Sequence, residues 1–556
     1  MNKKVCSFPI LFALLALLIG ACAVVFPASA QAAPTSTGSI TVSGTVARSY
    51  DAYQIFSANV VDGDSDAKIA TDLAWASDAV RDAALLVLHS AGMPNSQTTA
   101  QEAAEWLNTD SHLTSALSAQ LARSLQSSGA VSVALNAGTT AGLPCGYWLI
   151  VANDDAISQN EAGTAPVMVL VGGSAVTVKP KAATPRVAKH VLEDSTAAWQ
   201  KAADATVADD LYWRLSATVP AGLTAYDTYT VRFVDTMSAG LDPSKVAASM
   251  HVYVAAGADG GFDAVSTGKD GRVGTEPAKG WTDITAQCAT KVAADGKTFT
   301  VRTGDLIAAL GGADAFTAGA RVVAVYNAPL NSACNHGIAK GNPNEVYLRY
   351  PRSPFADQSG DAGFTHTPSD DACAYTWDLA LTKRGSDGDK PLAGAVLSIT
   401  DDRGRTLAAD GTWDAEGKAT VTTGEDGRVT VSGVDSGKLE VRELKAPKGY
   451  TAFEGTRSVT VKAEGLDVDQ VAAAKPKLTI TAESPLRADS ADGSTGSLEA
   501  SLINTPTGTP PSITTGGFMP STGDMAMYAA AAAAVAGAAL IVVALLVKRG
   551  GGSHKE

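Results

Sequence analysis

The sequence lacks the basic patches of nucleic-acid-binding proteins and the cysteine and histidine spacing of zinc proteins. Only 18% of its 556 residues are charged, and 57 acidic against 43 basic side chains give a net charge of −14. No basic patch stands out, so nucleic acid and anionic lipid surfaces are poor partners. The 7 histidines and 6 cysteines contain no C-x-x-C and no zinc-like spacing. We therefore expect no metal site and no cofactor.

Enzyme signatures are missing as well. The chain contains no G-x-S-x-G, and no Cys/His pair lies in the context of a known hydrolase family. The sequence thus disfavours a secreted enzyme and favours a structural or binding protein.

The N-terminus predicts secretion. Lys3 and Lys4 precede an apolar run over 8–26, and an A-x-A cleavage site follows, so residues 1–33 are a signal peptide. A lipoprotein box ending at Cys22 is the alternative, although the apolar run continues past it.

The C-terminus predicts a membrane anchor. The apolar run 526–547 is long enough for one spanning helix, and Lys548 and Arg549 would hold its end in the cytoplasm. With the pentapeptide before it, this layout resembles the sortase sorting signal of Gram-positive surface proteins. The resemblance implies cleavage between Thr522 and Gly523; a plain membrane anchor is the alternative. The pentapeptide, in which Met replaces the usual Leu, consists of Met519, Pro520, Ser521, Thr522 and Gly523.

The cysteines leave the disulfide pairing open. Four remain after signal removal, and a secreted chain permits disulfides in three alternative pairings. A Cys288–Cys334 pair is the simplest candidate, because both residues fall within one predicted domain.

The mature chain has room for three domains, and we predict tandem immunoglobulin-like β-sandwiches. The first, 34–181, carries a helical insertion at 66–126, where 74–91 and 100–125 show helical spacing. It returns to strands and ends on V-T-V-K-P-K. Strand alternation turns Val178 inward and Lys179 outward.

The middle domain, 182–370, reads as all-β. Lys189 shares a strand face with two valines, and Asp235 shares one with Val231 and Phe233. Arg352 would continue the apolar row that ends at Tyr350.

The third domain, 371–505, repeats this pattern. Lys383, Glu443 and Asn504 each fall in phase with the apolar face of a different strand. Because a buried unpaired charge is costly, the three should meet inside. A linker over 506–518 leads to the sorting signal, 519–556.

The third-domain trio has a specific chemistry. Burial favours the neutral forms of amine and acid. Neutral Lys383 could then attack the Asn504 amide while Glu443 shuttles the proton, releasing ammonia and leaving an isopeptide bond. A buried Lys–Glu salt bridge with Asn504 as a polar cap is the alternative reading.

Three motifs resemble those of sortase-assembled backbone pilins. L-E-V-R-E-L-K-A-P-K-G-Y around Glu443 resembles the pilin E-box, and 378–395 resembles the opening of a Cna-B-type isopeptide domain. V-T-V-K-P-K resembles the pilin motif and implies Lys181 as the polymerising lysine, with Lys179 as a minor rival. The resemblance also implies the Lys383–Asn504 bond.

The middle domain departs from this family pattern. Lys189 and Asp235 match its lysine and acid, but Arg352 stands where asparagine is expected. We therefore expect an ion cluster of Lys189, Asp235 and Arg352, unless Asn342 or Asn344 substitutes by a register shift. A disulfide between Cys288 and Cys334 could replace the missing cross-link.

The resemblance implies a covalent cell-surface pilus. A pilin-specific sortase would join Lys181 of one subunit to Thr522 of the next, and a housekeeping sortase would attach the polymer to peptidoglycan. The short linker also favours a polymer. The alternative is a minor or tip pilin acting as an adhesin for a host protein or glycan.

Overall fold

The computed structural model describes residues 36–43, 49–62, 67–109, 111–153, 157–179, 184–268 and 271–508. Within these ranges the protein is mainly β, with few helices, and its strands pair into six sheets. The signal peptide, Lys181 and the sorting signal lie outside them. No helix of the described part is long and apolar enough to cross a membrane; the predicted span 526–547 is not in that part.

The N-terminal unit packs two sheets and a helical insertion around one core. Its sheets have the strand orders β5-β1-β8 and β3-β2-β6-β7, with β4 also paired to β2. The elements are β1 (Thr37–Val42), β2 (Tyr50–Asp62), β3 (Lys68–Trp75), α1 (Asp78–Ser90), α2 (Ala100–Asn108), α3 (Ser115–Ser127), β4 (Val133–Leu135), β5 (Gly138–Pro144), β6 (Gly146–Ala152), β7 (Val167–Val171) and β8 (Val176–Val178).

The helical insertion differs from the prediction in two ways. Its first residues form β3, which pairs with β2, so the helices begin only at Asp78. The stretch 100–125 is interrupted after Asn108, where Thr109 donates its hydroxyl to the Glu105 carbonyl. Thr114 then caps a new helix by accepting from the Leu117 amide. Competing side-chain hydrogen bonds thus divide one apolar pattern into two helices.

The middle unit is a sandwich of two sheets around one core. Their strand orders are β10-β9-β12-β18-β14-β15 and β11-β21-β19-β13-β17-β16, with β20 on β19. The elements are β9 (Arg186–Glu193), β10 (Ala198–Gln200), β11 (Ala202–Asp204), β12 (Tyr212–Val219), β13 (Arg232–Met237), α4 (Val246–Ser249), β14 (His251–Ala256), β15 (Thr282–Asp283), β16 (Ala289–Val292), β17 (Thr298–Arg302), α5 (Leu306–Ala309), α6 (Ala313–Phe316), β18 (Ala320–Asn327), β19 (Asn342–Pro351), β20 (Phe364–His366) and β21 (Asp370–Tyr375), with 3-10 turns at Pro243–Lys245 and Thr285–Gln287.

The third unit is a second two-sheet sandwich. The strand orders are β27-β22-β33-β29, with β32 on β33, and β25-β24-β23-β28-β30-β31, with β26 on β23. The elements are β22 (Trp377–Gly385), β23 (Val396–Thr400), β24 (Thr406–Leu407), β25 (Trp413–Asp414), β26 (Val421–Thr422), β27 (Arg428–Val434), β28 (Gly437–Lys445), β29 (Tyr450–Thr451), β30 (Thr456–Glu464), β31 (Lys477–Ala482), β32 (Leu486–Asp492) and β33 (Ser497–Pro506), with a 3-10 turn at Val471–Ala473.

Direct contacts join the two sandwiches. β21 pairs with β19, so the middle sandwich continues to Tyr375, and we propose the division after that residue rather than after 370. Across the joint, the Trp377 indole donates to Asp204 Oδ2 (2.6 Å), and Arg405 binds Asp209 through two nitrogens (2.5 and 2.7 Å). These contacts limit how freely one sandwich can turn against the other.

Candidate functional site

The third sandwich brings the predicted trio together. Its first and last strands, β22 and β33, are parallel neighbours in one sheet, with Lys383 opposite Leu502. Lys383 and Asn504 therefore project from adjacent strands towards β28 of the facing sheet, which supplies Glu443. The alternation read from the sequence holds on all three strands, since the three polar side chains are buried with their apolar row.

The three side chains form one closed set of contacts. Lys383 Nζ donates to Asn504 Oδ1 and lies 3.1 Å from Glu443 Oε1. The Asn504 amide nitrogen donates to both carboxylate oxygens, at 2.9 and 3.1 Å. The Phe453 amide also donates to Glu443 Oε2 (3.1 Å), which fixes the carboxylate.

Burial of this trio makes the lysine easier to deprotonate. The side chains of Lys383 and Glu443 are both 0% exposed. Burial lowers the pKa of Lys383 to about 8, although Glu443 acts in the opposite direction. At a given pH, a much larger fraction of this lysine is therefore uncharged than in water, where the pKa of lysine is about 10.4.

This geometry suits acyl transfer between side chains. The amine touches the carbonyl oxygen of the amide that it would attack, and one carboxylate touches both the attacking and the leaving nitrogen. A single acid can therefore accept the proton of the amine and pass it to the departing ammonia.

A second cluster of the same kind lies in the middle sandwich. Lys189 on β9 and Asp235 on β13 form an ion pair whose side chains are both 0% exposed. Tyr326 on β18 and Asn344 on β19 complete the cluster, and both are fully buried. Four strands from the two sheets thus contribute one polar side chain each.

The hydroxyl of Tyr326 lies at the centre of this second cluster. Lys189 Nζ donates to it (2.9 Å), and so does Asn344 Nδ2 (2.8 Å). The hydroxyl in turn donates to Asp235 Oδ2 (3.0 Å). Lys189 Nζ also lies 5.5 Å from the centre of the Trp213 ring.

Burial favours neutral forms in this cluster too. It lowers the pKa of Lys189 to about 8 and raises the pKa of Asp235. Asp235 Oδ1 and Asn344 Oδ1 are buried without a hydrogen-bond partner in the described part of the chain. Both oxygens are acceptors without a donor, and a proton on Asp235 would supply one.

The predicted ion cluster with Arg352 is wrong. Asp235 pairs with Val346 on β19, so Arg352 lies six residues further along, about 20 Å away at the rise of a strand. There its backbone carbonyl accepts from the Gly163 amide (2.7 Å). Asn342 does not belong to the cluster either, since its amide nitrogen donates to the carbonyls of Asn335 and Ala374.

The structure contains no Cys288–Cys334 disulfide, and both residues are free cysteines. Cys288 Sγ donates to the Ile284 carbonyl (3.3 Å), and Cys334 Sγ lies 3.6 Å from His336 Nε2. The two thiols therefore have separate partners. Burial raises the pKa of each thiol to about 11.

Of the residues predicted to take part in polymerisation, only Lys179 lies in the described part of the chain. Lys181 and the pentapeptide of Thr522 fall outside the described residues. Lys179 is described and exposed, directly after β8, while Val178 before it is buried. The end of the first domain thus presents its lysine side to solvent.

Sequence reasoning missed Tyr326 and gave Asn344 only as a substitute by register shift. A signal for Tyr326 existed: in R-V-V-A-V-Y-N it shares a strand face with Val322 and Ala324. A tyrosine on an apolar face is ordinary, so the pattern alone does not mark it. Nothing local to Asn344 reveals that its side chain meets the Tyr326 hydroxyl, because β18 and β19 belong to different sheets.

Comparison with known proteins identifies one part of the chain. Residues 378–475 match the family described as SpaA prealbumin-like fold domain. This segment contains Lys383 and Glu443, whereas Asn504 lies beyond it. Over 143 residues the chain is 30% identical to the trypsin-resistant surface T6 protein of Streptococcus pyogenes serotype M6, covering 24% of this chain and 24% of that protein. The chain thus aligns with about a quarter of the length of this curated relative.

Solved structures of low identity align over longer stretches. The T6 backbone pilin of serotype M6 Streptococcus pyogenes is 17% identical, with 86% of this chain and 100% of that chain covered at a TM-score of 0.46. The major pilin SpaD from Corynebacterium diphtheriae is 15% identical, with 84% of this chain and 98% of that chain covered at a TM-score of 0.42.

Proposed function

We propose, from the premise that residues 378–475 form a SpaA-type prealbumin-like domain, that this protein is a structural subunit of a covalent cell-surface pilus. The observation that carries the proposal is the buried trio of Lys383, Glu443 and Asn504. The trio connects β22 and β33, the first and last strands of the third sandwich, which are the strands that a pull on the chain would separate first.

The trio forms an isopeptide bond in three steps. Neutral Lys383 attacks the amide carbon of Asn504, and its proton passes to Glu443. The carbon–nitrogen bond of the amide then breaks. Glu443 returns the proton to the leaving nitrogen, which departs as ammonia.

The middle sandwich carries the equivalent bond between Lys189 and Asn344. The amine, the acid and the amide there are all buried and lie around one hydroxyl. This assignment places the reacting amide at Asn344 on β19 instead of at position 352, because the Asn344 side chain contacts the Tyr326 hydroxyl.

Subunits are joined outside the sandwiches. Sortase cleaves after Thr522 and holds its carbonyl as a thioester, and Lys181 of the neighbouring subunit attacks it. A housekeeping sortase transfers the finished polymer to peptidoglycan. The exposure of Lys179, two residues before Lys181, supports this arrangement because a sortase must reach the acceptor.

The mass of the secreted part tests the cross-links. Each bond removes one ammonia, about 17 Da, so residues 34–518 should be about 34 Da lighter than their sequence mass. Tryptic mapping should place the losses at Lys383–Asn504 and Lys189–Asn344. A wild-type protein with its full sequence mass would contradict the proposal.

A substitution on β19 distinguishes the two asparagines. We expect Asn344→Ala to lose the middle bond and keep the third-domain bond, giving a deficit of about 17 Da. Asn342→Ala should keep both, because the Asn342 amide contacts backbone carbonyls away from Lys189. A middle bond that survives Asn344→Ala would contradict the assignment.

The rate of the third-domain bond should rise with pH up to the Lys383 pKa and then level off. The attack needs the neutral amine, because the ammonium form has no free electron pair. Burial lowers the pKa of Lys383 to about 8, so the amine is mostly neutral above that pH. We expect a decrease of roughly tenfold per pH unit below pH 8 and a plateau above it.

Cell-free synthesis followed by acid quenching and mass spectrometry measures this rate. Asn504→Ala, which lacks the amide, gives the baseline. A rate that keeps rising well above pH 9 would contradict the lowered pKa of Lys383.

A further inference from the structure

The two clusters differ in how the acid reaches the amide. In the third domain, Glu443 contacts both the lysine and the asparagine nitrogen directly. In the middle domain, Asp235 binds Lys189, while the Asn344 nitrogen donates to Tyr326. Aspartate is one methylene shorter than glutamate, and the Tyr326 hydroxyl lies between this acid and the amide.

We propose that Tyr326 is a catalytic residue of the middle cross-link, relaying a proton from Asp235 to the leaving nitrogen of Asn344. This inference rests on the proposed function, since it assumes that Lys189 and Asn344 react. The hydroxyl is hydrogen-bonded to all three partners that such a relay needs: Lys189 Nζ at 2.9 Å, Asn344 Nδ2 at 2.8 Å and Asp235 Oδ2 at 3.0 Å.

The relay balances without any further reactant. The bond from Lys189 Nζ to the Asn344 side-chain carbon forms, and the carbon–Nδ2 bond breaks. One proton leaves Nζ for Asp235, Tyr326 gives its own proton to Nδ2, and Asp235 restores the proton of Tyr326. Ammonia departs, and both Tyr326 and Asp235 end in their starting forms.

The surroundings of Tyr326 favour a relay in which donation and uptake are coupled. The residue is fully buried, and burial raises its pKa well above the usual value, so a lasting phenolate is disfavoured. Its ring packs edge-on against Phe299 with 4.9 Å between centroids, which holds the hydroxyl in place. Tyr326→Phe keeps this ring contact and removes only the hydroxyl.

The test follows both bonds in one molecule. Residues 34–518 of wild type and Tyr326→Phe are made by cell-free synthesis, quenched in acid at intervals and mapped by mass spectrometry. We expect the Lys189–Asn344 bond to form about 10²- to 10⁴-fold more slowly in the variant. The Lys383–Asn504 bond should form at the wild-type rate and serves as the internal control.

A solvent isotope comparison separates a relay from simple packing. Two protons move in the relay, so heavy water should slow the middle bond more in wild type than in Tyr326→Phe. A purely structural role of the hydroxyl would leave the isotope effect unchanged and would overturn the relay.

The remaining outcomes are also decisive. An unchanged rate of the middle bond in Tyr326→Phe overturns the relay. A wild-type protein with only the third-domain bond overturns it too, but leaves the proposed function standing. A wild-type protein with neither bond overturns both.

Discussion

Glu443→Gln should lower the melting temperature of the third domain by roughly 20 °C and abolish its ammonia loss. The amide of glutamine keeps the shape of the side chain but cannot accept the proton of Lys383. The bond would otherwise close a loop between residues 121 positions apart, which the chain-entropy estimate for covalent cross-links values at about 5 kcal/mol. In a domain of this size each kcal/mol corresponds to about 4 °C.

The matched control lies three residues earlier on the same strand. Glu440 forms a surface ion pair with Lys438 (2.9 Å), and such pairs contribute about 0–1 kcal/mol. Glu440→Ala should therefore keep the ammonia loss and shift the melting temperature by less than about 4 °C. Differential scanning calorimetry and intact mass on residues 34–518 measure both quantities.

Asn504→Ala separates the effect of the isopeptide bond on stability from the effect of the buried charges. It removes the bond but leaves the Lys383–Glu443 ion pair, so its destabilisation should resemble that of Glu443→Gln. If Glu443→Gln still loses ammonia at Lys383–Asn504, the role of Glu443 is wrong. If the mass loss disappears without a change in melting temperature, the bond does not stabilise the domain as argued.

Strand alternation explains why the third-domain trio could be predicted from sequence. Each of its residues lies on a strand whose apolar row is regular, and a side-chain period of two leaves one face for all members. Lys383, with Leu379 and Leu381, is buried as this period requires. The first and last strands of the sandwich are neighbours, so the sequence separation of Lys383 and Asn504 does not matter.

The same reasoning failed in the middle domain because it needs the register between strands. The row from Val346 to Tyr350 was predicted correctly, and all of it is buried. However, which end of that row faces Asp235 depends on the pairing of Asp235 with Val346. Extending the row forward led to Arg352, whereas the buried amide lies backward at Asn344. Alternation fixes a face, but only tertiary pairing fixes a position along it.

The helical insertion shows a different limit. Its apolar spacing predicted helices correctly, but the boundaries depended on single hydroxyl groups. Thr114 accepts from the Leu117 amide and starts α3, although the surrounding spacing continues through it. Capping hydrogen bonds of about 1 kcal/mol therefore set the helix boundaries, which the periodic apolar pattern does not define.

Lys181→Arg should abolish covalent polymerisation, while Lys179→Arg should leave it intact. Arginine keeps the positive charge and the length of lysine, but its guanidinium stays protonated at every accessible pH and cannot attack a thioester. Cells that express the pilin-specific sortase with wild-type protein should show a ladder of polymers that survives boiling in detergent. With Lys181→Arg the ladder should collapse to monomer.

The lysine pair is a matched control because two positions separate its members along one chain. Lys179 is exposed after β8, so exposure alone would make it an acceptor as good as Lys181, and the experiment tests the position relative to the active site of the sortase. A ladder lost only with Lys179→Arg would move the acceptor to the last residue before Pro180. A ladder that survives both single substitutions would show that either lysine, or another one, can act as the acceptor. A wild-type protein that forms no ladder would indicate a subunit that reacts only through Thr522. Such a subunit accepts no successor and ends the polymer instead of extending it, which would place the protein at the tip of a pilus rather than in its shaft.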